Sequence, residues 1–356
     1  MRVLMISLDR RLLQPSDVVA RHQKYADLAG ALDKIVFSKE KTWREGSKNL
    51  RVFGTGSTKL FHFRRAFELA SNLFSQNKYD LIIAQDFAAP VGQRLKRKFN
   101  IPFLVSFHSI FFERKWLGGS PLKWYMLYRI KKAASSADAF RVVNAKIQNK
   151  LRAWGFEKSI LVEPTPIDIK HFFVEKKMSN PVPVILFVGR LTAEKNTQML
   201  IEAFKELTTP AILKIVGAGV LEQKLKSLAG SSRHIHFLGP KSHEELPGIY
   251  RAADIFVLPS NTESFGWVLL EAAASRCAII ATKTPGASAI IKNGETGILI
   301  DIGNKRDLKI SLVNLIKNPD LRESFGQKAQ EAARPHDSQI AAARIVNFWK
   351  EVSKTT

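Results

Sequence analysis

Short apolar runs alternate with amphipathic stretches from one end of the chain to the other. The runs at 3–7, 81–84, Phe103–Phe107, Val184–Val188, Ile212–Val216, Ile255–Leu258, 278–281 and Ile298–Ile300 are nearly continuous in Val, Ile, Leu, Phe and Ala. Strands that lack polar alternation are the kind a parallel sheet covered on both faces requires. Between them, stretches such as 198–207 carry apolar residues at helical spacing, which predicts crossover helices. A last helical pattern runs through Ser338–Val352, with Ile340, Ala343, Ile345, Phe348, Trp349 and Val352 as its apolar positions. No short repeat of fixed period is present, which argues against a solenoid. The pattern predicts an α/β protein with two doubly wound, Rossmann-like domains facing a central cleft.

Length supports two domains, because 356 residues exceed the size at which one hydrophobic core usually keeps growing. The stretch Glu175-Lys176-Lys177-Met178-Ser179-Asn180-Pro181 is polar and ends on a proline, so the boundary is expected within 173–183. The N-terminal apolar run is too short for a signal peptide, and Asp9, Arg10 and Arg11 follow it at once. No stretch approaches the ~18 apolar residues that span a bilayer. Contact with a membrane is therefore expected from the surface, on the cytoplasmic side.

Charge changes this picture more than composition does. The formal net charge is +23, and residues 1–180 hold 33 Lys and Arg against 15 Asp and Glu. The N-terminal half thus carries most of the field, which points to an anionic partner there. No recognisable nucleic-acid motif accompanies the charge, so nucleic acid is not the expected partner. The single cysteine, Cys277, lies in an apolar run and reads as core in a reducing compartment.

Two loops carry candidate chemistry. The strand Val184–Val188 runs into Gly189-Arg190-Leu191-Thr192-Ala193-Glu194-Lys195, which sets a glycine and two cations beyond a strand's carboxyl end. Paired Arg and Lys suit a diphosphate, since guanidinium forks onto two oxygens and ammonium acts as a point charge. The strand Ile255–Leu258 runs into Pro259-Ser260-Asn261-Thr262-Glu263-Ser264-Phe265-Gly266-Trp267, with a helix expected to open near Phe265 or Gly266. Backbone N–H groups at such a start bind anions, and Gly266 allows close approach. Glu263 and Glu271, eight positions apart, can accept hydrogen bonds from hydroxyls on two rings of an extended ligand. No Asp-x-Asp motif in a metal-binding loop and no Cys/His cluster with ligand spacing is present.

Taken in order, Gly189-Arg190-Leu191 with Glu194-Lys195, the loop Val216-Gly217-Ala218-Gly219, the block 253–260 and the pair Glu263 and Glu271 resemble the retaining glycosyltransferases of family four, with the GT-B fold. The resemblance covers essentially the whole chain and is densest over 182–301. It implies an acceptor-binding domain over 1–173 and a donor-binding domain over 182–336, with a C-terminal helix at 337–356 crossing back to the first. Arg190 and Lys195 would neutralise the diphosphate leaving group, Glu271 would bind ribose, and Glu263 would contact donor-sugar hydroxyls. Gly189, Gly217, Gly219, Ser260, Phe265, Gly266 and Trp267 complete the implied donor site, for a UDP- or GDP-linked sugar. His108, after the strand Phe103–Phe107, matches the histidine the family places beside the transferred sugar. Arg21 and Asp168 match weaker positions. Front-face transfer, in which the departing phosphate assists the acceptor hydroxyl, would need no metal or other cofactor. Two departures stand out: Ala289 replaces a glutamate, and 12–17 replaces the first loop's glycine pair.

The N-terminal domain offers a surface of its own. Ser120 reads as N-cap and Pro121 as the first residue of a helix. Leu122, Tyr125, Met126 and Ile130 share one apolar stripe, while Trp124, Leu127 and Tyr128 fall on another face. Arg114, Lys115, Trp116, Lys123, Trp124, Arg129, Lys131 and Lys132 mix aromatics with cations, which suits an anionic membrane or a lipid-linked glycan acceptor. The expected function is hexosyl transfer in cell-envelope polysaccharide or glycolipid synthesis, by a peripheral membrane enzyme. A sugar-nucleotide epimerase on the same fold and a non-catalytic nucleotide-sugar-binding protein remain open.

Overall fold

The structure, a computed structural model, describes the chain except Thr42, Lys48, Ile110, Thr165, Ile167, 176–179, Ser264 and Thr356, and omits the side chains of Asp17, 43–47, Arg114 and Lys115. It divides into two compact units, Met1–Pro166 with Ser338–Thr356, and Ile167–Asp337.

The first unit is built on an eight-stranded sheet. Its strands are β1 (Arg2–Ser7), β2 (Ala31–Val36), β3 (Trp43–Ser47), β4 (Leu50–Gly54), β5 (Leu81–Gln85), β6 (Phe103–Phe107), β7 (Ala139–Val142) and β8 (Ser159–Val162). They lie in the order β3-β4-β2-β1-β5-β6-β7-β8, all parallel except β3, which is antiparallel to β4. Side-chain alternation sends Leu4 and Ile6 of β1 into one core and Val3 and Met5 into another. The first core lies under the helices His62–Gln76, Ala89–Phe99, Pro121–Ala134 and Ala145–Ala153. The second lies under Asp17–Ala29 and the last helix, Ser338–Val352. That last helix is anchored by Trp349, 1% exposed, whose ring centroid is 5.3 Å from that of Tyr25. Lys24 donates to Ser338 at 2.6 Å, and Arg344 grips Glu163 at 2.7 and 2.9 Å. Burial of each large apolar side chain here contributes about 1.5–3 kcal/mol.

The second unit has six parallel strands: β9 (Val184–Val188), β10 (Ile212–Val216), β11 (Ile235–Gly239), β12 (Ile255–Leu258), β13 (Ala278–Thr282) and β14 (Ile298–Ile300). Their order is β11-β10-β9-β12-β13-β14. The chain winds outward from β9 through β10 to β11, then returns to the other side of β9 as β12. The loops after β9 and β12 therefore diverge at a switch point, where open parallel sheets bind ligands. In the first unit the equivalent reversal falls between β1 and β5.

Three expectations change. The division falls at Pro166, ahead of 173–183, because Ile169 and Phe172 are buried in the second unit's core. Ser275 donates to the Phe172 carbonyl at 3.0 Å and Gln330 to that of Val174 at 2.8 Å, fixing the segment there. Strands β2, β3, β4, β7, β8 and β11 add to those the apolar pattern predicted. Ser120 does precede the helix Pro121–Ala134, but its side chain makes no capping hydrogen bond.

Candidate functional site

The site is built where β9 and β12 end. All of β9 is buried, as is all of β12, so both loops leave a rigid sheet at fixed positions. Asn261 ties them together: its N–H donates to the Glu194 carbonyl at 2.8 Å and its side-chain amide to the Ala193 carbonyl at 3.0 Å. Asn196, in left-handed backbone at φ 48°, donates to the Asn261 side chain at 3.3 Å. Across the same junction the Lys195 ammonium donates to the Glu263 carboxylate, both side chains only 14% exposed. Gly286, after β13, donates from its N–H to the Glu263 carbonyl at 2.9 Å. Three strand ends thus meet around Glu263.

Arg190 lies differently. Its side chain is 72% exposed and pairs with Glu194 one turn on. The second unit therefore presents one half-buried cation, Lys195, fixed on a carboxylate, and one solvated cation free to swing as Arg side chains do. Ser260 is fully buried and its hydroxyl has no partner, and the buried hydroxyls of Thr192 and Thr197 also have none. A buried hydroxyl left unpaired costs about 1–3 kcal/mol, so these groups are stabilised when a ligand oxygen pairs with them.

Gly266, at φ 83°, precedes the helix Trp267–Ala274, whose first turn has no side-chain cap. Those N–H groups suit an anion. Phe265 is buried and Trp267 half-buried beside them. On the same helix Glu271 is 9% exposed and accepts from the Tyr250 hydroxyl at 2.8 Å. Burial raises the Glu271 pKa, and the Tyr250 hydrogen bond opposes that shift.

Gly217 and Gly219 have a packing role as well. A Cβ on Gly217, at φ 128°, would sit 1.9 Å from the Gly189 carbonyl oxygen, and one on Gly219 would sit 2.4 Å from that of Leu191. The loop after β10 continues the ladder beyond the strand, with Leu191 donating to the Ala218 carbonyl at 2.9 Å and Leu221 to that of Leu191 at 3.0 Å. These glycines hold the Gly189–Arg190 loop in place by close backbone contact.

His108 belongs to the first unit, directly after β6, with Nε2 2.9 Å from the Ser106 hydroxyl. Its backbone N–H donates to Asp86 at 2.9 Å, and that of Ser109 does so at 3.4 Å. Asp86 follows β5 at the first unit's switch point, in left-handed backbone at φ 45°. Burial lifts its pKa to about 7 against the opposing backbone hydrogen bonds. Burial, then the charges of Arg141, Arg21 and Lys34, push the His108 pKa well down, so the imidazole is neutral. Arg21 donates to the Pro166 carbonyl at 3.5 Å, and Asp168 accepts from the Lys170 N–H at 3.3 Å. Asp86, Tyr250 and Asn261 were not singled out from sequence. Asp86 obeys the same carboxyl-end rule that found His108, whereas Tyr250 and Asn261 are visible only through contacts.

The surface residues lie on the short helix Arg114–Leu117 and on Pro121–Ala134. The side chains of Arg114 and Lys115 lie outside the described residues. Leu122, Trp124, Tyr125 and Tyr128 are 66, 50, 55 and 58% exposed. Leu122 and Tyr125 of the stripe are therefore not core: the helix packs through Leu127, Ile130, Ala133 and Ala134. Lys123 lies 4.8 Å from the centre of the Trp116 ring, and Lys131 5.7 Å from that of Trp154. Arg129 donates to the Tyr125 hydroxyl at 3.0 Å, and Lys132 is exposed. Among the described residues no helix is long and apolar enough to cross a membrane, and no three His, Cys, Asp or Glu side chains group as metal ligands would.

Two doubly wound sheets, with paired loops at a switch point, place the protein among two-domain α/β proteins of the GT-B kind. The sequence model described as Glycosyl transferases group 1 matches residues 168–332, and that described as Glycosyltransferase Family 4 matches 28–171, so the chain belongs to this family of glycosyltransferases. An uncharacterized glycosyltransferase of Methanocaldococcus jannaschii is 26% identical over 296 residues, covering 81% of this chain and 80% of that protein. The D-inositol 3-phosphate glycosyltransferase of Corynebacterium jeikeium is 38% identical over 182 residues, covering 48% of this chain and 43% of that protein. In fold, the chain is similar to sucrose-phosphate synthase from Thermosynechococcus elongatus, with a TM-score of 0.83, 20% identity and 100% of both chains covered. Anabaena HepE in complex with UDP and glucose gives a TM-score of 0.74 at 18% identity, covering 99% of this chain and 100% of that one.

Proposed function

We propose that the protein transfers a hexose from a UDP- or GDP-linked sugar to a lipid-linked or glycoconjugate acceptor, with retention of anomeric configuration. The observation that carries this reading is the half-buried pair Lys195 and Glu263 at the switch point, beside the uncapped helix start at Gly266. A diphosphate docking there meets the Lys195 charge, the helix N–H groups and the unpaired Ser260 hydroxyl. As the bond from sugar to phosphate breaks, negative charge grows on the leaving oxygen. Lys195 and a swung-in Arg190 stabilise it more in the transition state than in the ground state. The departing phosphate takes the acceptor proton on the same face, so neither a carboxylate nucleophile nor a metal or other cofactor is invoked. Glu263, relieved of part of its pairing with Lys195, accepts from sugar hydroxyls, and Glu271 accepts from ribose. His108, neutral through burial, serves the first unit as a hydrogen-bonding group.

The complexes of Anabaena HepE with UDP and with UDP-glucose support the nucleotide donor. The phosphatidyl-myo-inositol mannosyltransferase of Mycobacterium leprae, 32% identical over 174 residues that cover 48% of this chain, is named for a lipid acceptor, which supports that class here; transfer at the cytoplasmic face of a membrane, in envelope glycan synthesis, is part of the same proposal. A thermal-shift panel of UDP-, GDP- and ADP-sugars, followed by radiolabelled transfer to a lipid extract, tests the reading. One nucleotide series raises the melting temperature and its sugar moves to the extract. Stabilisation by none of them, or conversion of the sugar nucleotide without transfer, would overturn it in favour of a different activity.

A further inference from the structure

The helices Leu246–Arg251 and Trp267–Ala274 precede and follow β12 and pack on each other in the second unit. A hydrogen bond between buried side chains joins them: the Tyr250 hydroxyl donates to Glu271 Oε2 at 2.8 Å, with Tyr250 0% and Glu271 9% exposed. The same hydroxyl lies 3.5 Å from the Val268 carbonyl oxygen, one turn before Glu271. Packing fixes the tyrosine at its other end. Its ring centroid is 5.5 Å from that of Phe172, at an angle of 77°, and 5.6 Å from that of Phe256 on β12. Its backbone carbonyl accepts from the Ala253 N–H at 3.1 Å and from the Cys277 thiol at 3.4 Å. Fully buried, Tyr250 acts on a ligand only through Glu271.

Among the described residues, Tyr250 is the side chain that donates to the Glu271 carboxylate, and it does so to Oε2. Oε1 is left to accept from a ligand. The last torsion of a glutamate is broad, so an untethered carboxylate turns through many planes, whereas a donor fixed by packing selects one. The same bond keeps the group an acceptor. Burial raises the Glu271 pKa, and the Tyr250 hydrogen bond, then the charge of His243, oppose the rise. Without the hydroxyl the acid stays protonated to higher pH, and a protonated carboxyl has less acceptor capacity. The titratable groups that act on this pair are His243, in the exposed loop before Leu246–Arg251, and Cys277 behind Tyr250.

We infer that Tyr250 is a positioning residue, which holds the Glu271 carboxylate as a fixed acceptor for a ribose diol and so makes the donor site select ribonucleotides over deoxyribonucleotides. The inference rests on the reading of Glu271 as the residue that accepts from ribose. A site built to hydrogen-bond a hydroxyl rejects the analogue that lacks it, because its buried polar group is then left unpaired.

Tyr250→Phe tests it, since this variant loses the hydroxyl and keeps the ring between Phe172 and Phe256; circular dichroism is expected to match wild type. The first measurement needs no ligand. Carbon NMR of protein labelled at the glutamate carboxyls, with the Glu271 signal identified by its loss in Glu271→Gln, is expected to show the Glu271 midpoint moved up in Tyr250→Phe. The second is calorimetric binding of UDP, GDP and their 2′-deoxy counterparts between pH 6 and 8.5. Wild type is expected to prefer the ribose form of its nucleotide at least about tenfold. Tyr250→Phe loses most of that preference at pH 6 and regains part of it at pH 8.5, while the 2′-deoxy form binds both proteins alike. In Glu271→Gln the preference falls and no longer varies with pH. An unmoved midpoint, a preference kept in Tyr250→Phe at every pH, or equal weakening of both nucleotide forms, as a general packing fault produces, overturns the inference and leaves the ribose reading of Glu271 standing. A wild type that binds both forms alike removes that reading, and the inference with it.

Discussion

Lys195 and Glu263 come from loops 68 residues apart and form a half-buried ion pair where β9 and β12 end. The pair keeps an ammonium available for phosphate while holding a carboxylate ready for hydroxyls. Each group stabilises the other until a ligand takes over part of both roles.

Removal of either partner is therefore expected to cost more than one ligand contact. Lys195→Ala, Arg190→Ala and Glu263→Ala each lower transfer at least about tenfold, as loss of a leaving-group or sugar contact in a desolvated site does. In a cycle of Lys195→Ala with Glu263→Ala, the double variant loses little beyond the worse single, since coupled groups are not additive. Circular dichroism is expected to show all variants folded. Wild-type rates in Lys195→Ala or Arg190→Ala would remove the diphosphate assignment.

The product's anomeric proton, followed by NMR, is expected to keep the donor's configuration, and the rate is expected to persist in excess EDTA. Charge neutralisation by Lys195, Arg190 and the helix start at Gly266 is the reason. Inversion, or activity abolished by EDTA and restored by Mg²⁺ or Mn²⁺, would refute this chemistry.

Gly217→Ala is expected to lower the melting temperature sharply and to weaken nucleotide binding with it. The new methyl would overlap the Gly189 carbonyl oxygen, 1.9 Å away, and push the Arg190 loop from its place. Gly119→Ala meets nothing within 4 Å and serves as the neutral control. Equal stability of the two variants would show that the loops are not coupled by this contact.

Asp86 makes stability fall as pH rises. Its folded pKa of about 7 exceeds the 3.8 of a free aspartate, so between those values the folded state holds a proton that the unfolded chain has released. The contribution is full below the lower value and is lost through the upper one, with a slope of up to about 1.4 kcal/mol per pH unit. Urea unfolding from pH 4.5 to 7.5 is expected to give a flatter profile for Asp86→Asn than for wild type. Parallel profiles would place the proton elsewhere.

Liposome sedimentation examines the exposed aromatics of Pro121–Ala134. Binding is expected to rise with anionic lipid and fall with salt, and to drop when Trp124, Lys131 and Lys132 become Ala, since each basic residue contributes about 1 kcal/mol at such a surface. Equal recovery with neutral and anionic vesicles would leave this face to a soluble anionic acceptor.

The sequence by itself determined the strands whose residues are apolar throughout, because a segment buried on both faces shows its environment in composition alone. It also placed Arg190, Lys195, Glu263 and Gly266 at carboxyl ends, since strand and loop are contiguous in the chain. It passed over β2 and β7, where Asp33, Lys34 and Arg141 break the apolar run. Those strands exist because ladder hydrogen bonds and distant partners hold them, and neither is written in local periodicity. Only the tertiary structure decided that Lys195 rests on Glu263 while Arg190 stays in solvent, that Ile169 and Phe172 belong to the second core, and that Gly217 packs on Gly189. Side-chain pairing depends on which remote segments meet, and the order of residues along one segment carries no record of that.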